Sequence, residues 1–103
     1  MHRQMILKEK TKMKIKIPQN IDIFGHQYKI INRDEKISGV DSFGSHFGRV
    51  NRIYIDSKLR GSVRESCFIH ELIEAVNWHL QLKLSHEQIT GLENGLFQIF
   101  KKL

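Results

Sequence analysis

Two stretches of helical periodicity, joined by a short connection, constrain the fold of this chain more than any other feature. Each begins with a capping-box pattern: Ser62 is followed three residues later by Glu65, and Ser85 by Gln88. The short connection, centred on Lys83, predicts that the two helices form an antiparallel hairpin. Apolar residues recur at helical spacing along both segments, at Phe68, Ile69, Leu72, Ile73, Val76 and Leu80, and again at Ile89, Leu92, Leu96, Ile99 and Phe100.

The first half of the chain carries shorter patterns that are typical of β-strands. The strand predictions cover residues 13–17, 21–23, 28–31 and 50–56, of which the last (VNRIYID) is the clearest. The single proline, Pro18, ends the first of them, and the glycines of residues 42–48 (SFGSHFG) predict a loop. We therefore expect an α+β domain, in which an antiparallel or mixed sheet packs on the C-terminal helix pair.

Small residues in the two helices give two expectations about packing. Gly91 and Gly95 lie four residues apart, which predicts that the second helix packs closely against the first. Cys67 lies within an apolar helical stretch, so we interpret it as a buried thiol of the core. A single cysteine rules out an internal disulfide framework and fits a protein of the reducing cytoplasm.

The 103 residues of the chain are enough for one small domain. Charge is distributed unevenly along them. Six of the 17 basic residues lie in residues 1–16, beside one acid, so most of the net charge of +6 is at this end. We predict a flexible basic arm over residues 1–12 and a single domain over residues 13–103. The arm is either a solvated leader or a weak contact for nucleic acid. No apolar run is long enough for a membrane span, and no signal peptide is recognised.

The pentapeptide His70-Glu71-Leu72-Ile73-Glu74 carries the most chemical information. His70 and Glu74 are four residues apart on a helix, so both point the same way and can bind one divalent metal ion. Glu71 is placed to act as general base toward a water molecule, as in the H-E-x-x-H motif. Here a carboxylate stands at the last position of that motif. Zinc is the expected ion, but the carboxylate makes the site harder and lowers its preference for zinc, so manganese or iron are alternatives.

A third ligand is expected from the second helix, where two residues compete. If the hairpin turns at Lys83, Glu93 lies level with the motif and is the favoured ligand. His86 is the stronger ligand by residue type, but it lies about 10 Å along the helix axis from Glu93, near the turn. His46, in the glycine-bearing segment, is a candidate donor to the transition state, or else an exposed loop histidine. His79 is out of phase with His70 and is expected to face away from the site.

Taken together, VNRIYID, the H-E-L-I-E-A helix and a second helix containing GLENGLFQIF resemble small zincin-like metallopeptidases of phages and mobile elements. The resemblance covers about residues 13–101. It implies a sheet packed on the motif helix, with His70 and Glu74 as metal ligands and Glu71 as base. It also implies an edge strand that receives an extended peptide, for which VNRIYID is the candidate.

Two functions follow as hypotheses. The first is a metal-dependent hydrolase, most simply a small cytoplasmic metallopeptidase that acts on a protein or peptide. The second is a catalytically inactive zincin-like module, such as a phage regulatory or interaction protein, that has kept only the shape of an enzyme. The first hypothesis predicts that the protein hydrolyses a protein or peptide in the presence of a divalent ion, and the second predicts that it does not.

Overall fold

The computed structural model describes residues 15–34 and 44–103, which form four strands and two helices. This architecture confirms the predicted α+β class. The predicted basic arm, residues 1–12, lies outside the described residues. Within the described part of the chain, neither helix has the length and apolar content needed to cross a membrane. The elements are β1 (Asn20–Ile23), β2 (His26–Arg33), β3 (Gly44–Phe47), β4 (Arg52–Asp56), α1 (Gly61–Leu80) and α2 (His86–Lys102).

The sheet is mixed, with the strand order β1-β2-β4-β3. β1 and β2 form an antiparallel hairpin through a two-residue turn at Phe24 and Gly25. Both turn residues have positive φ angles, 51° and 82°, which is the geometry of a tight hairpin turn. β2 then pairs in parallel with β4, and β3 pairs antiparallel with the other side of β4.

The segment predicted as a glycine-bearing loop contains a strand, so that prediction is wrong for residues 44–47. The glycines serve close packing here: a Cβ on Gly44 would lie 2.7 Å from Cys67 Sγ, and one on Gly48 would lie 2.5 Å from the Trp78 ring. Because β3 covers one side of β4, the VNRIYID strand is central. The prediction that it forms the edge strand is therefore also wrong, and β3 takes that place in the described sheet.

The predicted first strand, residues 13–17, is not found in its described part. Residues 15–18 have no regular secondary structure, although Ile15 and Ile17 pack against the core. Pro18 has no N–H to donate to a ladder. The first bond to β2 comes only afterwards, when the Ile30 amide donates to the Gln19 carbonyl at 2.8 Å. The remainder of this prediction, residues 13–14, lies outside the described residues.

One face of the sheet forms the main core with α1. Alternate strand residues point toward the helix and are buried, which is the pattern expected of a sheet that is covered on one side. A smaller cluster of Ile69, Ile73 and Ile89 joins α1 to α2. The main core consists of Ile23, Tyr28, Ile30, Ile53, Ile55, Phe68 and Ala75.

The two helices begin differently. α1 begins at Gly61 without a side-chain cap, so the predicted Ser62–Glu65 capping box is wrong: the N-cap is Arg60, two residues before Ser62, and Glu65 is buried. α2 has the predicted capping box, in which the Gln88 amide donates to Ser85 Oγ at 3.1 Å and the Ser85 amide donates to Gln88 Oε1 at 2.9 Å. The predicted antiparallel turn around residue 83 is confirmed, since the connection runs from residue 81 to residue 85.

The connection between the helices is fixed by Asn77, whose Oδ1 accepts from the Leu84 amide at 3.0 Å. The chain reverses there through two residues in left-handed conformation, Gln81 and Lys83. The close packing predicted at Gly91 and Gly95 is wrong, because a Cβ on either residue meets nothing within 4 Å. The helices instead meet through the larger side chains of the second cluster.

Candidate metal centre

His70 lies at the centre of a polar cluster between α1 and α2. Its Nδ1 is 2.7 Å from Glu93 Oε1, and the side chains of both residues are 17% exposed. The other oxygen of Glu93 accepts a hydrogen bond from Ser66 Oγ. Ser66 is four residues before His70, one turn away on the same face of α1. Sequence reasoning did not identify Ser66, although this spacing points to it.

The contact with Glu93 determines which nitrogen of His70 carries a proton. An ionised carboxylate only accepts hydrogen bonds, so Nδ1 must be the donor. In the neutral imidazole, Nε2 then has a free lone pair. A histidine whose Nδ1–H is held by a carboxylate is the usual arrangement behind a metal-binding Nε2.

Glu74 faces the other nitrogen of the same ring. Its Oε2 is 3.5 Å from His70 Nε2, and its side chain is 33% exposed. This distance exceeds the 2.7–2.9 Å or so of a charge-assisted hydrogen bond. It is close to the separation of about 3.3 Å between two ligands on a tetrahedral zinc ion. The two side chains therefore face each other, as their spacing along the helix predicts, while their binding of a metal ion stays a prediction.

His86, the other candidate third ligand, also lies beside His70. The two ring centroids are 5.7 Å apart, and His86 is exposed at the start of α2. His86 and Glu93 are seven residues apart, which places both on one face of α2. His70 contacts both residues, although the sequence predicts that His86 lies too far from Glu93 along the helix axis. Glu74, Glu93 and His86, the other three residues predicted as metal ligands, thus each lie beside the His70 ring.

Glu71 is turned from this cluster toward the sheet. It is 5% exposed, and its Cγ would lie 3.2 Å from a Cβ on Gly44 of β3. Burial is the main cause that raises the pKa of Glu71 to about 7; His70 opposes the rise, while Glu74 and Glu93 add to it. A carboxyl group with a pKa near neutrality can both accept and return a proton.

Cys67 lies one turn before Glu71, between α1 and the sheet. It is half-buried and packs against the main core, in agreement with its interpretation as a core thiol. Burial, followed by the charges of Glu71 and Glu93, raises the pKa of this thiol to about 12. The thiol is therefore protonated at neutral pH and is a poor nucleophile and a poor metal ligand.

Two further histidines named from the sequence are His46, on β3, and His79, near the end of α1. His46 is in β3, where it pairs with Ile53, and its side chain lies outside the described part of the molecule. His79 forms a second cluster, in which its Nε2 is 2.7 Å from the buried Tyr28 hydroxyl and its ring stacks on His26 at 4.6 Å. This packing role was not predicted, because it depends on how the β1–β2 hairpin meets the end of α1.

In the observed side-chain conformations, the predicted metal site lacks a third ligand. Across residues 15–34 and 44–103, no group of three or more His, Cys, Asp or Glu side chains is arranged to hold a metal ion. Among these described side chains, His70 Nε2 and Glu74 Oε2 are the pair whose separation, 3.5 Å, suits two ligands of one ion. A third donor requires a rotation of the exposed His86 side chain or of Glu93.

Comparison with known protein families, curated proteins and solved structures gives no match to this chain. The zincin-like relationship therefore stays a prediction based on the H-E-L-I-E helix and the segments around it. Any functional conclusion rests on the residues of the site themselves.

Proposed function

We propose that the protein is a metal-dependent hydrolase acting on a protein or peptide, and that His70 and Glu74 hold one divalent ion. The observation that carries this proposal is the 3.5 Å separation between His70 Nε2 and Glu74 Oε2, which are both acceptors when the imidazole is neutral with its proton on Nδ1. Two lone pairs repel each other unless a proton or a cation lies between them. Zinc suits this donor set, with manganese or iron as alternatives because of the carboxylate.

The residues around this pair have separate roles in the proposal. Glu93 accepts from Nδ1 and so holds His70 in the tautomer and orientation that leave Nε2 free. His86 supplies the third donor, because Glu93 already serves both His70 and Ser66. This assignment reverses the preference drawn from the sequence, where Glu93 was the favoured ligand.

Glu71 is the proposed general base. A divalent ion bound at this site would lower the pKa of a water molecule and polarise a substrate carbonyl. Glu71, whose pKa is about 7, would take up the proton of such a water molecule and return it to the leaving amine. β3, the edge of the described sheet, offers unpaired backbone groups to an extended peptide and lies against Glu71 at Gly44. His46, in the same strand, is the candidate donor to the transition state.

Metal binding is the first test of this proposal. The purified protein is stripped with a chelator and titrated with zinc against a chromophoric competitor, beside three variants. We expect one equivalent for the parent, loss of binding in His70→Ala, and binding weakened by about 10–100-fold in Glu93→Gln, which keeps the metal-facing atoms but alters the support of the imidazole. His26→Ala, an exposed histidine of the second cluster, is the matched control. Equal zinc binding by the parent and His70→Ala would refute the site.

Hydrolysis is the second test, and Glu71→Gln separates catalysis from binding. The zinc-loaded protein is incubated with a mixture of unstructured peptides, and new termini are identified by mass spectrometry. We expect cleavage by the parent and none by Glu71→Gln, with the zinc content unchanged in the variant. Cleavage that persists in Glu71→Gln would remove this residue from the mechanism.

A metal-free interaction module is the second candidate. The observation in its favour is that a carboxylate lies beside each ring nitrogen of His70, while Ser66 donates to Glu93. A protonated His70 would satisfy this network without an ion, and the network would then serve to join the two helices. In that case zinc leaves the melting temperature unchanged, whereas a metal site raises it with zinc concentration.

A further inference from the structure

The face of the sheet that points away from the helices carries cations beside aromatic rings. We call it the open face and define it by the outward residues of β2 and β4 together with Phe47 at the end of β3. Their outward direction follows from the burial pattern, since Tyr28, Ile30, Ile53 and Ile55 alternate with them and point into the core. The open face comprises Gln27, Lys29, Ile31, Arg33, Phe47, Arg52, Tyr54 and Asp56, of which Asp56 is the single acid and the cross-strand partner of Arg33.

Two positively charged side chains of the open face lie directly opposite each other on neighbouring strands. Lys29 and Arg52 are direct cross-strand partners, so two like charges share one position of the ladder. Like charges directly opposite each other are destabilising. Among the described residues, neither of them nor Arg33 forms a salt bridge. An arrangement that is unfavourable for the fold alone becomes favourable when an anion lies across both strands.

Aromatic rings lie beside these cations. The Arg33 guanidinium lies over the Tyr54 ring at 4.7 Å, so a base that stacks on this ring takes the place of that side chain and leaves it for a phosphate. Phe47 meets Tyr54 edge to face at 5.4 Å and is 40% exposed. Bases of single-stranded nucleic acids stack on such rings, while arginine and lysine side chains bind the phosphates.

We propose that the open face binds a single-stranded nucleic acid, with bases on Phe47 and Tyr54 and phosphates on Lys29, Arg33 and Arg52. This surface lies on the opposite side of the sheet from α1 and the proposed metal centre. It is also distinct from the basic residues at the start of the chain. Binding here therefore goes beyond both the hydrolase proposal and the predicted arm.

The test measures fluorescence anisotropy of a labelled oligothymidylate of about a dozen nucleotides, with the full-length protein. Phe47→Leu keeps an apolar side chain but removes the stacking ring. Phe100→Leu, on α2, is the matched control because Phe100 is 43% exposed, much like Phe47. We expect Phe47→Leu to weaken binding by about fivefold or more, and Phe100→Leu to leave it unchanged. Circular dichroism confirms that both variants are folded.

Salt dependence tests the phosphate contacts separately. Arg33→Gln with Arg52→Gln is expected to reduce the slope of log affinity against log salt by about 1.4, which is two phosphate contacts on a single strand. The double change Lys101→Gln with Lys102→Gln, at the end of α2, controls for net charge. Equal loss in both double variants, equal affinity for a duplex of the same length, tighter binding to polyglutamate, or no binding at all would each overturn the proposal.

Discussion

Glu71 gives the sharpest prediction about stability. Burial raises the pKa of its carboxyl group from the usual 4.5 to about 7 in the folded protein. Between these two values, the unfolded chain has lost this proton while the folded protein keeps it. Folding therefore becomes less favourable as the pH rises from about 4.5 to about 7, and the loss is complete above the folded pKa.

The size of the effect follows from the shift. A pKa change of about 2.5 corresponds to about 3 kcal/mol of unfolding free energy, at about 1.4 kcal/mol for each unit. Glu71→Gln keeps the shape of the side chain and removes its titration. We expect the metal-free variant to match the parent near pH 4.5 and to be more stable by about 3 kcal/mol near pH 8.

The assay is denaturant unfolding in the presence of a chelator, at several values between about pH 5 and about pH 8. Glu87→Gln removes an exposed carboxylate from the first turn of α2 and is the control. The difference between Glu71→Gln and the parent must grow with pH. A constant difference across this range would show that the Glu71 carboxyl group is not the buried acid described here.

Three further predictions concern packing and the helix connection. Gly44→Ala should lower the unfolding free energy by about 2 kcal/mol, because the new Cβ would lie 2.7 Å from Cys67 Sγ and 3.0 Å from the Tyr54 carbonyl; an unchanged denaturation midpoint would contradict this contact. Gly95→Ala should raise it by up to about 1 kcal/mol, since the position is helical and open. Asn77→Ala should cost about 1–2 kcal/mol through the lost acceptor for the Leu84 amide, measured in the same titration.

Much of the helical half could be predicted from sequence, and the sheet could be predicted only in part. The helices span 20 and 17 residues, long enough for their periodicity to be unambiguous, and Ser85 with Gln88 marks the start of the second. Strand order is not encoded in local patterns. The glycines at positions 44 and 48 carry the signal of a loop, yet they serve close contacts with α1 that exist only after folding.

The candidate site could likewise be predicted from the sequence only in part. Spacing along one helix predicts that His70 and Glu74 face each other, and the symmetry of a hairpin predicts that Glu93 lies nearby. The roles within the cluster depend on individual atoms. Glu93 reaches Nδ1 of His70 and leaves Nε2 toward Glu74, which is determined by the rotation of one ring between two helices.

The parallel pairing of β2 with β4 has a consequence for the order of folding. Residues 34–51 separate the two strands along the chain, and β3, which lies within this stretch, pairs with the far side of β4. The helix pair needs only the short reversal between residues 81 and 85. Contacts between near neighbours in sequence form faster than distant ones. The helix pair is therefore expected to form first, with β4 taking its central place last, so mutations that weaken the β2–β4 pairing should mainly speed unfolding.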